Sequence, residues 1–128
     1  MAKATVRVAV LRQYFEADDF SDVVREAQEA VELALKAALR YIGVEPPKVH
    51  DVGALLREYA DRLAGLDVDR MAAVSRALRK EQELAFYGDL DFLPTEQYTR
   101  DDARKAMTDA DAVVGAVHAW IRQKRPPA

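Results

Sequence analysis

The residues best suited to chemistry are His50 and Asp51, which stand side by side where a new helix is expected to begin. An imidazole titrates near neutral pH, so His50 can shuttle a proton, or it can bind a phosphate at the helix N-terminus. Alternatively, its ring forms a hydrogen bond with a carbonyl or with Asp51 and fixes the junction. The sequence leaves both interpretations open.

A polar column on the preceding helix offers a second candidate site. Gln28, Glu32 and Lys36 follow at four-residue spacing, so they share one helix face. This face can form a polar groove for a nucleotide, with Lys36 meeting its phosphate. The alternative is a solvated ladder in which Glu32 and Lys36 form an ion pair worth about 0.3–0.5 kcal/mol.

Basic residues cluster at two further places, one on each side of a loop. The clusters comprise Arg76, Arg79 and Lys80, and Arg100, Arg104 and Lys105. If both face one cleft, they form an anion site for nucleotide or RNA, and Tyr87 and Tyr98 at the ends of the loop can stack a base. The alternative is a solvated surface paired with nearby acidic residues, with the tyrosines packing the loop onto the domain.

Several other chemistries lack the residues that they need. The chain has no cysteine, which excludes disulfides, zinc–thiolate sites and thiol nucleophiles. Di-metal helical sites need Glu-x-x-His, but Pro47 and Gly115 stand three residues before the two histidines. A Gly-rich phosphate loop and a nucleophile-elbow serine are missing too. We therefore expect neither a metal nor a cofactor.

Length and composition favour a single domain. The first 14 residues carry a short apolar patch broken by Arg7 and Arg12, which is a poor signal-peptide core, so we expect a cytoplasmic location. The chain has 128 residues, 50% hydrophobic and 32% charged, which is enough for one core over residues 1–128. We expect no membrane contact, because no apolar run approaches the ~20 residues of a membrane helix. The net charge of −3 speaks against binding through many phosphate contacts. The absence of asparagine predicts a thermophilic source.

Hydrophobic periodicity predicts an all-α, up-and-down bundle of about five helices. The predicted helices cover residues 4–17, 21–43, 52–65, 69–87 and a last helix from Thr99. Residues 4–17 are ambiguous, since Val6, Val8 and Val10 alternate as in a strand, whereas Val6, Ala9, Val10, Tyr14 and Ala17 fit a helix face. We predict a helix, because nothing later supplies a partner strand. The second and fifth helices are long, and we expect them to pair at the centre.

Capping residues predict where these helices begin and end. Ser21, Asp51 and Asp69 are the predicted N-caps, and Thr99 with Asp102 has capping-box spacing. Gly43 and Gly65 can adopt the left-handed conformation that ends a helix, and Pro46–Pro47 prevents continuation.

Three segments resemble the HEPN domain family (higher eukaryotes and prokaryotes nucleotide-binding). Residues 25–39 resemble its signature second helix, 43–52 the junction after it, and 98–103 the entry to its last helix. The resemblance implies a HEPN-like four-helix core and a homodimer. It also implies a partnership with a minimal nucleotidyltransferase in a toxin-antitoxin-like pair. Some family members are ribonucleases that use an Arg and a His separated by four to six residues.

The chain departs from that catalytic pattern. The positions before His50 that should hold arginine are Gly43, Val44 and Glu45, and those before His118 are Asp111, Ala112 and Val113. Phe86-Tyr87 also replaces the Arg-Tyr pair of other members. We therefore predict a non-catalytic interaction module with possible nucleotide or RNA binding. The alternative is a metal-independent ribonuclease that uses His50 with Arg100 or Arg40.

A dimer surface is predicted on the outer faces of the two long helices. Trp120 and the small residues Ala37, Ala112, Ala116 and Ala119 permit close helix approach across a two-fold axis. The alternative is a monomer with a few apolar surface residues. His118, among apolar neighbours, is expected to pack or to lie at an interface.

Overall fold

The computed structural model describes residues 1–46, 48, 51–87 and 98–124, with residues 80–87 described by their backbone. These residues form five α-helices and one short 3-10 helix, with no strand among them. The elements are α1 (Ala2–Glu16), α2 (Phe20–Tyr41), α3 (Val52–Glu58), a 3-10 turn (Ala60–Arg62), α4 (Val68–Tyr87) and α5 (Arg100–Lys124). The all-α prediction is confirmed, including a helix for the ambiguous first segment. His50 lies outside the described residues.

The two long helices α2 and α5 form the most extensive contact in the bundle, as expected. They run in the same direction, because Arg100 lies over the Phe20 ring at one end and Trp120 meets Tyr41 at the other. We call these the Arg100 end and the Trp120 end. Helix α1 runs against α2 and also contacts α5, while α3 packs mainly on α4.

The core follows from the apolar stripe of α2. Nine α2 residues are buried, and among the larger ones Leu35 and Leu39 are fully covered. Burying such a side chain contributes about 1.5–3 kcal/mol. The stripe alternates these residues with alanines, and α5 likewise buries Ala103, Ala106 and Ala110. Small side chains at the contact allow the two helices to approach closely.

Helix α1 packs on the core through one face and exposes another apolar face. Ala4 and Leu11 are fully buried, and Val8 and Phe15 pack beside them. The face that the sequence identifies turns outward instead: Val6 is 62% exposed, and Ala9 and Ala17 are exposed as well.

Helix ends confirm some predicted caps and correct two. The Asp51 carboxylate accepts from Gly53 N at 3.1 Å and Ala54 N at 3.3 Å, as predicted. The reciprocal capping box also forms, with Thr99 N to Asp102 at 3.0 Å and Asp102 N to Thr99 at 3.1 Å. Gly43 follows α2 with a φ of +86°, the left-handed conformation predicted for this helix end. Gly65 also has a positive φ, +102°, but it follows the 3-10 turn and does not end α3, so its predicted role as a helix end is wrong.

The predicted caps Ser21 and Asp69 are wrong, because an earlier aspartate takes the role in each case. Asp19 accepts from Asp22 N at 3.4 Å, so α2 begins at Phe20. Asp67 accepts from Arg70 N at 3.2 Å, so α4 begins at Val68.

The third helix is shorter than predicted. It ends at Glu58, and the chain continues through the 3-10 turn to Leu63, which is fully buried. The start of α3 lies against α4, since a Cβ added at Gly53 would lie 3.0 Å from Ala72 Cα and 3.2 Å from its Cβ. A larger residue at this position would require α3 and α4 to separate by a few tenths of an ångström.

Trp120 closes the opposite end of the bundle. It is 5% exposed and donates its indole N–H to the Ala64 carbonyl oxygen at 2.8 Å. Its ring also packs edge-on against Tyr41, at 5.4 Å between ring centroids. Trp120 is therefore a core residue, and the expectation that it contributes to a dimer surface is wrong. Within the described helices, none combines the length and apolarity that a membrane span requires.

Candidate functional site

Arg100 is held at the corner where α1 turns into α2. Its guanidinium donates to the Asp18 carboxylate at 2.6 Å and lies 5.1 Å from the Phe15 ring centroid and 5.5 Å from that of Phe20. The two rings are themselves neighbours, at 5.9 Å. Asp18 adopts a φ of 60°, a strained value for a residue other than glycine. The contact thus fixes a tight turn to the start of α5.

Arg104 and two aspartates complete this corner. Arg104 pairs with Asp101 at 3.1 Å and lies 5.8 Å from the Phe15 ring.

A hydrogen bond with the Asp22 side chain raises the pKa of Asp19 above its usual range, and burial acts in the same direction. The same hydrogen bond lowers the pKa of Asp22, which also accepts from Arg25 at 2.6 Å. Arg100 and Arg104, two of the arginines predicted to bind anions, therefore have acidic partners within the chain.

Tyr98 lies in the wall of a cleft between α2, α4 and α5. The cleft has a volume of about 140 Å³, and its polar rim includes Asp102, Lys105 and Asp109. Tyr98 is only 7% exposed, so its ring faces are covered by the protein. Lys105 pairs with Asp109 at 3.0 Å. The tyrosine thus packs the loop end onto the bundle, which is the alternative that the sequence offers to base stacking.

The polar column on α2 is half-buried along its length. Gln28 donates to Glu32 at 3.4 Å, so Glu32 is engaged from the preceding turn and not by Lys36. Among the described side chains, none forms an ion pair with Lys36. Lys36 is therefore the candidate cation of this column that an added anion can meet.

The junction before α3 brings an arginine to the residue next to His50. Arg79 on α4 lies 3.6 Å from Asp51 Oδ2, while Asp51 Oδ1 caps α3. Both side chains are about one-third exposed, at 31% for Arg79 and 37% for Asp51. Arg76, one turn earlier, is exposed. The junction thus pairs a cation with the acid that follows His50 in the sequence.

The arginines named in the ribonuclease alternative, Arg100 and Arg40, form ion pairs with acids other than Asp51. Arg100 pairs with Asp18 at the Arg100 end, and Arg40 pairs with Glu45 at 3.3 Å just after α2. Among the residues that the structure describes, 1–46, 48, 51–87 and 98–124, Arg79 is the one arginine that forms an ion pair with Asp51. His118 is exposed, so it does not pack within the described chain, and its position at an interface stays a prediction.

The candidate residues therefore occupy three separate neighbourhoods. Arg100 and Arg104 share the Phe15 ring, Gln28 and Lys36 lie on α2, and Arg76 and Arg79 lie near the start of α3. Sequence reasoning identified Arg79 but did not pair it with Asp51, since 28 positions separate them (79 − 51). The available signal was Gly53, a glycine in the first turn of α3 that lies close to α4.

The fold and these sites define a helical module of a known type. A family model for the HEPN domain matches residues 1–120 of the 128-residue chain. The chain therefore belongs to the HEPN domain family, whose members are nucleotide-binding or RNase-type modules. A comparison with curated proteins found no match, and neither did a comparison with solved structures.

Proposed function

We propose that this chain is a non-catalytic HEPN interaction module that forms a homodimer and binds a nucleotidyltransferase partner in a toxin-antitoxin-like pair. The observation that carries the proposal is the engagement of its arginines. Arg100, Arg104 and Arg40 pair with acids of the same chain at 2.6, 3.1 and 3.3 Å. Each of these exposed pairs is worth only about 0–1 kcal/mol. They support the non-catalytic part of the proposal, and the dimer and partner parts are inferred from membership of the HEPN family.

Binding of a nucleotide or RNA is a secondary part of the proposal. Lys36 and the exposed Arg76 are the cations best placed to meet a phosphate, because no described carboxylate pairs with either. A ligand at a hundred times its dissociation constant adds about 2.7 kcal/mol to stability, which a thermal-shift titration with mononucleotides detects. Lys36→Ala should abolish the shift, while Lys3→Ala on α1 should leave it unchanged.

Co-purification tests the proposed partnership. The chain, tagged and co-expressed with the product of the neighbouring reading frame, should elute as one complex, and that product should show nucleotidyltransferase activity. Separate elution of the two proteins at micromolar concentration would contradict the partnership. A homodimer without this partner would leave the purely structural dimer as the function.

The contact of Arg79 with Asp51 favours one second candidate, a metal-independent ribonuclease. In it, His50 takes the proton from the RNA 2′-hydroxyl as that oxygen attacks phosphorus to form a 2′,3′-cyclic phosphate, and the 5′-oxygen leaves with a proton from water. Arg79, rather than Arg100 or Arg40, stabilises the negative charge that develops on the phosphate. The 3.6 Å separation of Arg79 from Asp51 supports this choice of arginine.

RNA cleavage by purified protein distinguishes the two candidates. A ribonuclease requires that His50→Ala and Arg79→Ala each lower cleavage at least a hundredfold, since each removes a group acting in the transition state. Arg70→Ala is the control, an exposed arginine near the start of the same helix that belongs to none of the candidate sites. Cleavage that survives His50→Ala would come from a contaminant or another site and would exclude this mechanism.

A further inference from the structure

The cleft between α2, α4 and α5 has an apolar floor and a polar opening. Helices α4 and α5 touch each other only slightly, which leaves a space between them above α2. Val24, Leu78 and Ala106 line the floor, and each is at most 6% exposed. Asp102 and Lys105 also line the cleft but are exposed, so they stand at its opening. A ligand that fits therefore has an apolar body and a polar end.

Asp109 is the most covered charged group of this cleft. Its side chain is 19% exposed, whereas that of Lys105, one turn earlier on α5, is 77% exposed. Lys105 Nζ lies 3.0 Å from the Asp109 carboxylate and is its one partner among the described side chains. Such a pair within an exposed helix turn is worth only about 0.3–0.5 kcal/mol. An incoming cation can therefore replace Lys105 at little cost.

The charges of the lining favour a cation over an anion. The described lining residues carry two carboxylates, those of Asp102 and Asp109, and one ammonium group, that of Lys105. Two negative charges against one positive charge leave one negative charge, which a monocation neutralises and an anion would oppose. Asp102 already accepts from Thr99 N in the capping box, so Asp109 is the carboxylate that a ligand can take.

The volume of the cleft limits the size of the ligand. The space measures about 140 Å³. An apolar cavity of about 150 Å³ in a protein interior holds a molecule of the size of benzene. The apolar body of the ligand is therefore one ring or a short alkyl chain, and a nucleotide is too large for this space.

We propose that this cleft is a binding site for a small organic amine. The apolar body of the amine lies against Val24, Leu78 and Ala106, and its ammonium group displaces Lys105 from the Asp109 carboxylate. The site is independent of the nucleotide binding proposed above, because it uses neither Lys36 nor Arg76. Its failure would leave the proposed function unchanged.

Three ligands of one shape test the chemistry of the site. Benzylamine, benzyl alcohol and benzoate carry the same ring with a cation, a neutral group and an anion. In NMR titrations of the full chain, benzylamine should shift the amide signals of Leu78, Ala106 and Asp109 at millimolar concentration or below. The alcohol and benzoate should bind at least tenfold more weakly. Equal binding of all three, tighter binding of benzoate, or no binding of benzylamine would overturn the proposal.

Filling the cleft tests its location. Ala77 lines the cleft from α4 and is exposed, so Ala77→Leu occupies the space without burying a clash. This variant should lower the affinity for benzylamine at least tenfold. Ala73→Leu is the matched control, because Ala73 is an exposed alanine one turn earlier on α4 that does not line the cleft. Equal affinities of the two variants would place the ligand elsewhere.

The two charged partners make opposite predictions. Asp109→Asn should lower benzylamine affinity at least tenfold, while Asp111→Asn, at an exposed aspartate outside the cleft, should not change it. Lys105→Gln removes the internal competitor and should raise the affinity several-fold. An anion site would respond to Lys105→Gln with a loss of affinity. That loss, or full binding in Asp109→Asn, would contradict the assignment of Asp109 as the anchor.

Discussion

An aspartate and an arginine meet at two junctions of this bundle, and the surroundings of the two pairs differ. At the Arg100 end, Asp18 and Arg100 lie 2.6 Å apart, and the guanidinium also rests over two phenylalanine rings. At the start of α3, Asp51 and Arg79 lie 3.6 Å apart, and Asp51 caps a helix at the same time. The first pair joins three helices, whereas the second joins two.

This difference indicates which of the two arginines can bind a ligand. Arg100 gains from the ion pair and from both rings, so moving it toward a ligand would cost all three contacts. Arg79 is held more loosely, and exchanging one carboxylate for a phosphate would cost it little. Identical residue types thus serve the fold in one place and can serve a ligand in the other. The variants below break each junction in turn.

The largest effect is expected from closing the space at Gly53. In Gly53→Ala, the new methyl group would lie 3.0 Å from the Ala72 backbone, so α3 must move away from α4. We expect a loss of about 1–3 kcal/mol in the free energy of unfolding, measured by urea denaturation. Gly115→Ala is the control, because a Cβ there meets nothing within 4 Å. It should stabilise the protein by up to about 1 kcal/mol. Equal effects of the two variants would contradict the close packing of α3 on α4.

Removal of the Arg100 side chain should come next. Arg100→Ala loses the Asp18 ion pair and both ring contacts, for an expected cost of about 1–2 kcal/mol in chemical denaturation. Arg100→Lys keeps the charge but not the planar group that lies over the rings, so its cost should be intermediate. Arg122→Ala, an exposed arginine at the other end of α5, should change stability by less than about 0.5 kcal/mol. If Arg100→Ala is as mild as this control, the corner does not depend on its arginine.

Loss of the α3 cap should have a smaller effect. Asp51→Ala removes the acceptor for Gly53 N and Ala54 N, at an expected cost of about 1 kcal/mol. Asp69→Ala is the matched control, because Asp69 is 90% exposed and Asp67 caps α4. Thermal unfolding of both variants measures the difference. A larger loss in Asp69→Ala would reverse the assignment of the two caps.

The smallest effect is a change in acid titration at the Arg100 end. Asp22→Asn removes the carboxyl group that raises the pKa of Asp19, so the pKa of Asp19 should fall, as followed by carbon-detected NMR. For Asp22 itself the pKa is lowered, so its contribution to stability is present above the unfolded pKa. That contribution is lost as the pH falls through the lowered value. An unchanged pKa of Asp19 in Asp22→Asn would show that the two carboxyls do not interact.

Local rules predicted most of the helices but only part of their ends. The α2 stripe and the capping residues Asp51, Thr99 and Asp102 were correct because each depends on residues within one or two turns. Ser21 and Asp69 failed as caps because other aspartates lie two residues earlier and compete for the same backbone N–H groups. Local sequence alone does not decide between two such neighbours.

Contacts between residues far apart in the chain could not be predicted from the sequence. The Asp51–Arg79 and Asp18–Arg100 pairs join different helices, and nothing in the spacing selects these partners among the chain's many acids and arginines. For the same reason, the sequence could not predict which side of α1 faces the core. Its sequence carries valines and alanines on both sides, and only packing against α2 and α5 determines which side turns inward.

The burial of Trp120 gives the protein a built-in optical reporter. It is the sole tryptophan of the chain, and it lies at the end of the bundle opposite Asp18 and Arg100. Its emission should shift to the red only when the joined ends of α2, α5 and the Ala64 turn separate. A ligand that perturbs Arg79 without altering this emission has therefore acted locally, while the rest of the bundle stays closed.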